Sequence, residues 1–309
     1  MAEILSDTID WSAYERETEA AVKVRPAHAF ADDLQAEFAQ KSHSQKSVMF
    51  STKLRDVIEF RPGEVTCWAG YSGHRKSMFT GQVALDLIVQ RERTLLASME
   101  MSPARTLARM VRQAFGVERP EADRLRSFSA WTDGRLWLFD HMGRVAPGVM
   151  QAVCMYFATE KQGRHVFIDS MMMVCGSEES LDEQKQFATD LCRLAQETGL
   201  HVHLVTHCRK PQSGAEDKPP TKYDLRGSAA ISDQASNVIT VWANKPKAAK
   251  LKANPCDDEA LQQPDAAVTV EKQRNGAWEG RIKLWWDEAS LRFVDDRTSP
   301  MEPYRMAPA

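Results

Sequence analysis

A chain of 309 residues, 43% hydrophobic and 27% charged, has the apolar content for one large α/β domain with a small appendage, or two ordinary domains at most. Its formal net charge of −3 excludes a dedicated basic coat, so any nucleic-acid contact has to come from a local cluster of cations. It has no apolar run of about 18 residues or more, the length a membrane span needs, and its start, MAEILSDTIDWSAYERETEA, is acidic and lacks the basic-then-apolar order of a secretion signal. Both features predict a cytoplasmic protein with no membrane partner.

In chain order, residues 1–48 are polar and predict a helical arm or linker. Phe30, Leu34 and Phe38 recur every four residues and form one apolar stripe, which packs either on the chain's own body or on a neighbouring copy. Residues 49–296 form the main domain. Within it, Val65–Ala69 is a short apolar strand followed by a Gly-containing loop and a helix from about Ser77 to Gln90. Thr94–Met99 is the next strand, with a helix starting after Ser102-Pro103. Arg135–Phe139, Val166–Asp169 and Val202–Thr206 are further strands, separated by helices near 147–160 and 181–198. This alternation predicts a mostly parallel sheet with helices on both faces.

The later segments Asn237–Ala243, Ala266–Lys272, Gly280–Trp286 and Leu291–Val294 are strand-like, with an Asn275-Gly276 turn signal, and predict antiparallel strands added at the C-terminal end. Residues 244–265 are charged and aperiodic and predict a mobile loop; 297–309 predict a flexible tail. The six cysteines lack any C-x-x-C pair and predict mostly buried thiols rather than a zinc site.

The strongest local signal is Gly70-Tyr71-Ser72-Gly73-His74-Arg75-Lys76-Ser77, directly after a strand and opening a helix, the context a Walker A phosphate loop requires. Backbone N–H groups of such a loop wrap phosphates; Lys76 would reach the β- and γ-phosphates of ATP and Ser77 would ligate Mg²⁺. Arg75 stands where the Walker A pattern has its last glycine, at a cost of about 1 kcal/mol if the backbone there needs positive φ. Asp169, at the end of an apolar strand, suits a Walker B acid holding Mg²⁺. Glu100 and His207 follow other strands and belong to the same sheet edge, Glu100 as a base that orients water and His207 as a γ-phosphate sensor.

Ala97-Ser98-Met99-Glu100-Met101-Ser102 resembles the SLEMS segment of DnaB-type replicative helicases. Leu204–Lys210 with Asp224–Ala229, and then Lys272-Gln273-Arg274-Asn275-Gly276, resemble motifs of the T7 primase–helicase and of Twinkle, in the same order along the chain. The resemblance covers about Phe50 to Val294 and implies a RecA-like ATPase. Further implications are a hexameric or heptameric homo-oligomeric ring with ATP between subunits, Lys272 and Arg274 reaching a neighbour's nucleotide, and two loops, Ser170–Lys185 and Arg209–Tyr223, facing single-stranded DNA. Arg209, Lys210, Lys222 and Arg226 are then the candidate DNA-phosphate contacts. The N-terminal 48 residues are too few for a primase domain, which implies a separate primase or loader, and the chain looks most like stand-alone phage helicases acting in the bacterial cytosol. Two other readings stay open: a RecA-like recombinase or regulatory ATPase, and a catalytically weak nucleotide-dependent DNA-binding scaffold.

Overall fold

The structure, a computed structural model, describes residues 26–32, 35, 50–176, 180–211, 216–227 and 229–305. The chain divides into two compact units, Met1–Gln45 and Lys46–Ala309. In the first, Ala27–Phe30 forms a 3₁₀ turn; Leu34, Phe38 and the Phe30 side chain lie outside the described residues.

The second unit opens with α1 (Thr52–Arg55), whose first turn is bound to the far end of the domain. Ser51 Oγ donates to Asp295 Oδ1 at 2.5 Å and Thr52 N to Asp295 Oδ2 at 2.8 Å. There follow β1 (Val65–Ala69), α2 (Lys76–Val89), β2 (Thr94–Ser98), α3 (Pro103–Phe115), α4 (Ala122–Thr132), β3 (Leu136–Leu138), α5 (Pro147–Glu160), β4 (His165–Asp169), α6 (Met171–Val174), α7 (Leu181–Thr198) and β5 (His201–Val205). The remainder is α8 (Ala230–Gln234), β6 (Asn237–Ala243), α9 (Lys245–Ala253), α10 (Asp258–Gln262), β7 (Ala266–Gln273), β8 (Gly280–Asp287) and β9 (Arg292–Val294).

These strands make one nine-stranded sheet in the order β3-β2-β4-β5-β1-β6-β7-β8-β9. From β3 to β6 the neighbours are parallel; β6 to β9 are antiparallel. The central parallel strands β1, β5 and β6 are buried along their whole length, so VTCWA, HVHLV and NVITVWA show no alternation of buried and exposed residues. Alternate residues feed two cores: Val65, Cys67 and Ala69 pack with α5 and α7, whereas Trp68 packs with α2, α3 and α4. Ser102 and Pro103 start α3, and Gly116, at φ 68°, ends it in the left-handed conformation that suits a glycine cap.

Two expectations need correction. Residues 244–265 are not a loop but carry α9 and α10. Asn244 caps α9 by accepting from Lys247 N, Asp257 caps α10 by accepting from Ala260 N, and the buried Lys247 Nζ binds Gln263 O at 2.6 Å and Asp265 Oδ1 at 2.7 Å. Both helices are short and largely solvated, so no apolar period announces them. The described part of the tail is held rather than loose, with Tyr304 N donating to Ala114 O at 2.9 Å and the Arg292 guanidinium lying 4.9 Å from the Tyr304 ring. Helix α4, to which the strand–helix alternation assigns no place, buries Phe128 and Trp131.

Candidate functional site

In a parallel sheet the strand C-termini share one edge, and the chain puts its polar residues there. β1 leads into the loop 70–77, β4 ends in Asp169, Glu100 follows β2 and His207 follows β5. Strand register fixes the alignment, pairing Ser98 with Asp169 and Trp68 with Val205. Gly70 admits no side chain, because a Cβ there would lie 2.4 Å from Val241 O. Gly73 has φ +73°. His74 N donates to Tyr71 O at 3.3 Å within the loop, and Phe79 N to Arg75 O at 3.0 Å joins it to the first turn of α2.

Lys76 is buried, and its Nζ donates to Gly70 O and Tyr71 O, each at 2.9 Å, with His207 Nδ1 at 3.3 Å. Burial lowers the ammonium's affinity for its proton, and the Asp169 charge opposes that shift. Ser77 Oγ donates to Asp169 Oδ2 at 2.5 Å. Burial pushes the Asp169 carboxyl up, with the Ser77 hydroxyl pulling the other way. Glu100 Oε1 accepts from Ser170 Oγ at 2.8 Å and lies 3.9 Å from His207 Nε2, too far for a direct hydrogen bond. His207 is nevertheless the largest influence holding the Glu100 carboxyl below its ordinary range; burial opposes it and Ser170 adds to it. Glu100 is therefore ionised near neutrality. The Ser77 hydroxyl and Asp169 carboxylate are hard oxygen donors of the kind Mg²⁺ takes beside substrate phosphates. They also wall a cleft of about 440 Å³ that takes in Met101, Arg109 and Gln113.

Arg75 occupies the left-handed region at φ 63°, ψ 23°, in keeping with a position that ordinarily takes glycine. Its side chain is turned onto β8: the guanidinium carbon is 4.5 Å from the Trp286 ring centroid and Nη2 is 3.7 Å from Glu288 Oε2. Nothing in the local sequence signals this partner.

Lys272 and Arg274 are not at that edge. Because β7 runs antiparallel to β6, Lys272 pairs with Val238 and Arg274 N donates to Ser236 O, level with the start of β1. Five strand residues at about 3.3 Å each put the chain's own phosphate loop roughly 15 Å away. Lys272 Nζ donates to Ser232 O and Asp233 O, and Arg274 Nη2 to Asp233 O at 3.2 Å, so both cations sit at the carbonyl end of α8.

Of the four candidate DNA contacts, Arg209 and Lys210 are exposed and Lys222 and Arg226 half-buried. The loop that carries the first three is pinched at its root by the Cys208–Leu225 bridge, with Arg209 N donating to Asp224 O and, just outside it, Arg226 N to His207 O. The other expected loop, Ser170–Lys185, contains α6 and the first turn of α7. Among the described residues, no helix is long and apolar enough to cross a membrane and no group of three or more His, Cys, Asp and Glu could hold a metal. All six cysteines are free.

A mostly parallel sheet with a phosphate loop after its first strand, an acid at the end of β4 and antiparallel strands beyond β6 defines the RecA-like class of P-loop domain. Within that class the chain belongs to the DnaB-like helicase C-terminal domain family, which matches residues 51–295. Those limits coincide with the Ser51–Asp295 contact that closes the domain. The chain is 24% identical over 154 residues to the replicative DNA helicase DnaB of Rickettsia bellii (strain RML369-C), a match covering 45% of this chain and 31% of that protein. Two solved structures share the fold at 15% identity. One, an isolated ATPase domain, aligns with a TM-score of 0.70 over 87% of this chain and 99% of that one. The other, a DnaB-like replicative helicase studied for its interactions with primase, aligns at 0.67 over 85% and 66%.

Proposed function

We propose that the chain is an ATP-driven, ring-forming replicative helicase subunit that moves on single-stranded DNA. The observation that carries this reading is the separation of two half-sites. Lys76, Ser77, Glu100, Asp169 and His207 gather at one sheet edge, and Arg274 lies beyond reach at the other. A cation so placed is out of reach of its own chain's nucleotide and suits that of a second copy, which a closed ring would supply at every site.

In this reading Gly70, Ser72, Gly73, His74 and Arg75 shape the backbone cradle for the triphosphate. Lys76 moves from the Gly70 and Tyr71 carbonyls to the β- and γ-phosphates. Ser77 and Asp169 would hold Mg²⁺, which would neutralise charge on the phosphates. Glu100, ionised and steadied by Ser170, accepts a hydrogen bond from the attacking water and draws its proton. His207 lies between Lys76 and Glu100 and responds to loss of the γ-phosphate. Arg274, with Lys272, enters from the adjacent subunit to stabilise charge on the transferred phosphoryl. Arg209, Lys210, Lys222 and Arg226 bind DNA phosphates.

The test is ATP turnover with and without oligo(dT), coupled to unwinding of a forked duplex. Turnover stimulated by the oligonucleotide together with strand separation is the expected result. Turnover without unwinding, on protein shown to form filaments on DNA, would favour a recombinase instead.

A further inference from the structure

His74 is fully buried inside the phosphate loop. Its Nδ1 accepts the Ala243 N–H at 3.1 Å, so its proton is on Nε2, which donates to Glu216 Oε2 at 2.9 Å. The same Glu216 oxygen takes Lys245 Nζ at 2.7 Å, and Lys245 also reaches Ser72 O at 3.4 Å. Trp242 Nε1 holds the Glu216 carbonyl at 2.9 Å. Lys245 is the leading influence keeping the Glu216 carboxyl below its ordinary range, and burial, the largest influence on His74, keeps that imidazole neutral.

Sheet order explains the arrangement. β1 lies between β5 and β6, so a side chain that joins the segment after β5 to the segment after β6 has to cross the loop after β1. Glu216 makes that crossing, and it belongs to the segment after β5 that also carries Arg209, Lys210 and Lys222. Two residues of the phosphate loop, Ser72 and His74, are thus held directly or through Lys245 by one carboxylate of the basic loop.

We propose that Glu216 is a positioning residue through which the 209–223 loop sets the conformation of the phosphate loop, so that a polyanion held by that loop changes nucleotide affinity. The inference rests on the helicase reading for the identity of the polyanion, single-stranded DNA. A pull on Arg209 or Lys210 displaces the Glu216 carboxylate, and His74 and Ser72 lose their tether. By linkage, nucleotide changes DNA affinity by the same factor.

The experiment measures affinity for a non-hydrolysable ATP analogue with and without saturating oligo(dT), in the full chain and in Glu216→Ala and Glu216→Gln. The wild-type protein is expected to show a ratio of about fivefold or more. Glu216→Ala should bring it to within about twofold of one, and Glu216→Gln, which keeps the shape and drops the charge facing Lys245, should fall between. A merely structural role would weaken both affinities and leave the ratio as it was. The wild-type ratio retained in Glu216→Gln and in any folded Glu216→Ala would overturn the assignment. A wild-type ratio of one would overturn it as well, whereas failure of the helicase reading is seen separately, as turnover that oligo(dT) does not stimulate and a forked duplex that stays paired.

Discussion

Ser77 Oγ donates to Asp169 Oδ2 at 2.5 Å, joining the first turn of α2 to the last residue of β4 across the mouth of the phosphate loop. Ser77 and Lys76 are consecutive, and the Lys76 ammonium sits beside the same carboxylate's field. Removing the ammonium takes away charge stabilisation in a site shielded from water. Lys76→Ala should therefore lower turnover by about 10²-fold or more, measured as steady-state phosphate release. Near-normal release would mean that the phosphates bind elsewhere.

Arg75 combines two opposed effects. Its left-handed backbone costs about 1 kcal/mol that glycine avoids, whereas its place over Trp286 returns about 0.5–1 kcal/mol at a partly exposed site. Arg75→Gly should consequently be close to neutral in urea unfolding, while Arg75→Ala, which keeps the strain and drops the stack, should destabilise by about 1 kcal/mol. Nucleotide affinity in Arg75→Gly should be equal or better. A clear loss of affinity in that variant would show that the guanidinium leaves Trp286 to bind phosphate.

His165, His201 and His203 lie in the sheet interior against Phe60 and Phe167. His203 takes Trp68 Nε1 at 3.2 Å on Nδ1 and faces His165 Nδ1 at 3.1 Å through Nε2. Burial lowers all three, His201 to about 4 and the other two well below 6.5. The unfolded chain takes up protons below about 6.5 while the folded chain does not. Stability is thus full above that pH and falls as pH drops from 6.5 toward 4, each histidine contributing about 1.4 kcal/mol per pH unit over its own window. Urea midpoints at pH 7, 6 and 5 should decline steadily. A flat profile would mean that these rings are solvated or already charged.

Arg209 and Lys210 are adjacent exposed cations at the start of the loop after β5. Replacing both with alanine should weaken binding to oligo(dT) and reduce the slope of log affinity against log salt by about 0.7 for each single-strand phosphate that is no longer neutralised. Nucleotide hydrolysis without DNA should change little. An unchanged slope would assign both residues to solvated surface.

The sequence revealed the parallel half of the fold because strands buried on two faces are written as short apolar runs, and Val65–Ala69 matches the observed β1 residue for residue. Glu100, Asp169 and His207 were legible for the same reason, as polar residues where such runs stop. The Glu216–His74 contact joins residues 142 apart, and the Arg75–Trp286 stack joins α2 to an antiparallel strand that follows it by some two hundred positions. Neither leaves a local pattern. Helices α9 and α10 were hidden because they are held by caps and one buried lysine rather than by an apolar face.

The central claim is that each ATP site is completed by a second copy of the chain, and mixing two inactive variants tests it most directly. Arg274→Ala removes the cation held beside Ser236 at the far sheet edge, and Glu100→Gln removes the carboxylate proposed to orient water at the near edge. Each alone should lose nearly all ATPase activity, since a finger of this kind contributes about 10³–10⁵ in rate in comparable systems. Mixed assemblies contain some interfaces with an intact Glu100 on one side and an intact Arg274 on the other, and those should restore a measurable part of the activity. Full activity of Arg274→Ala on its own would contradict the claim.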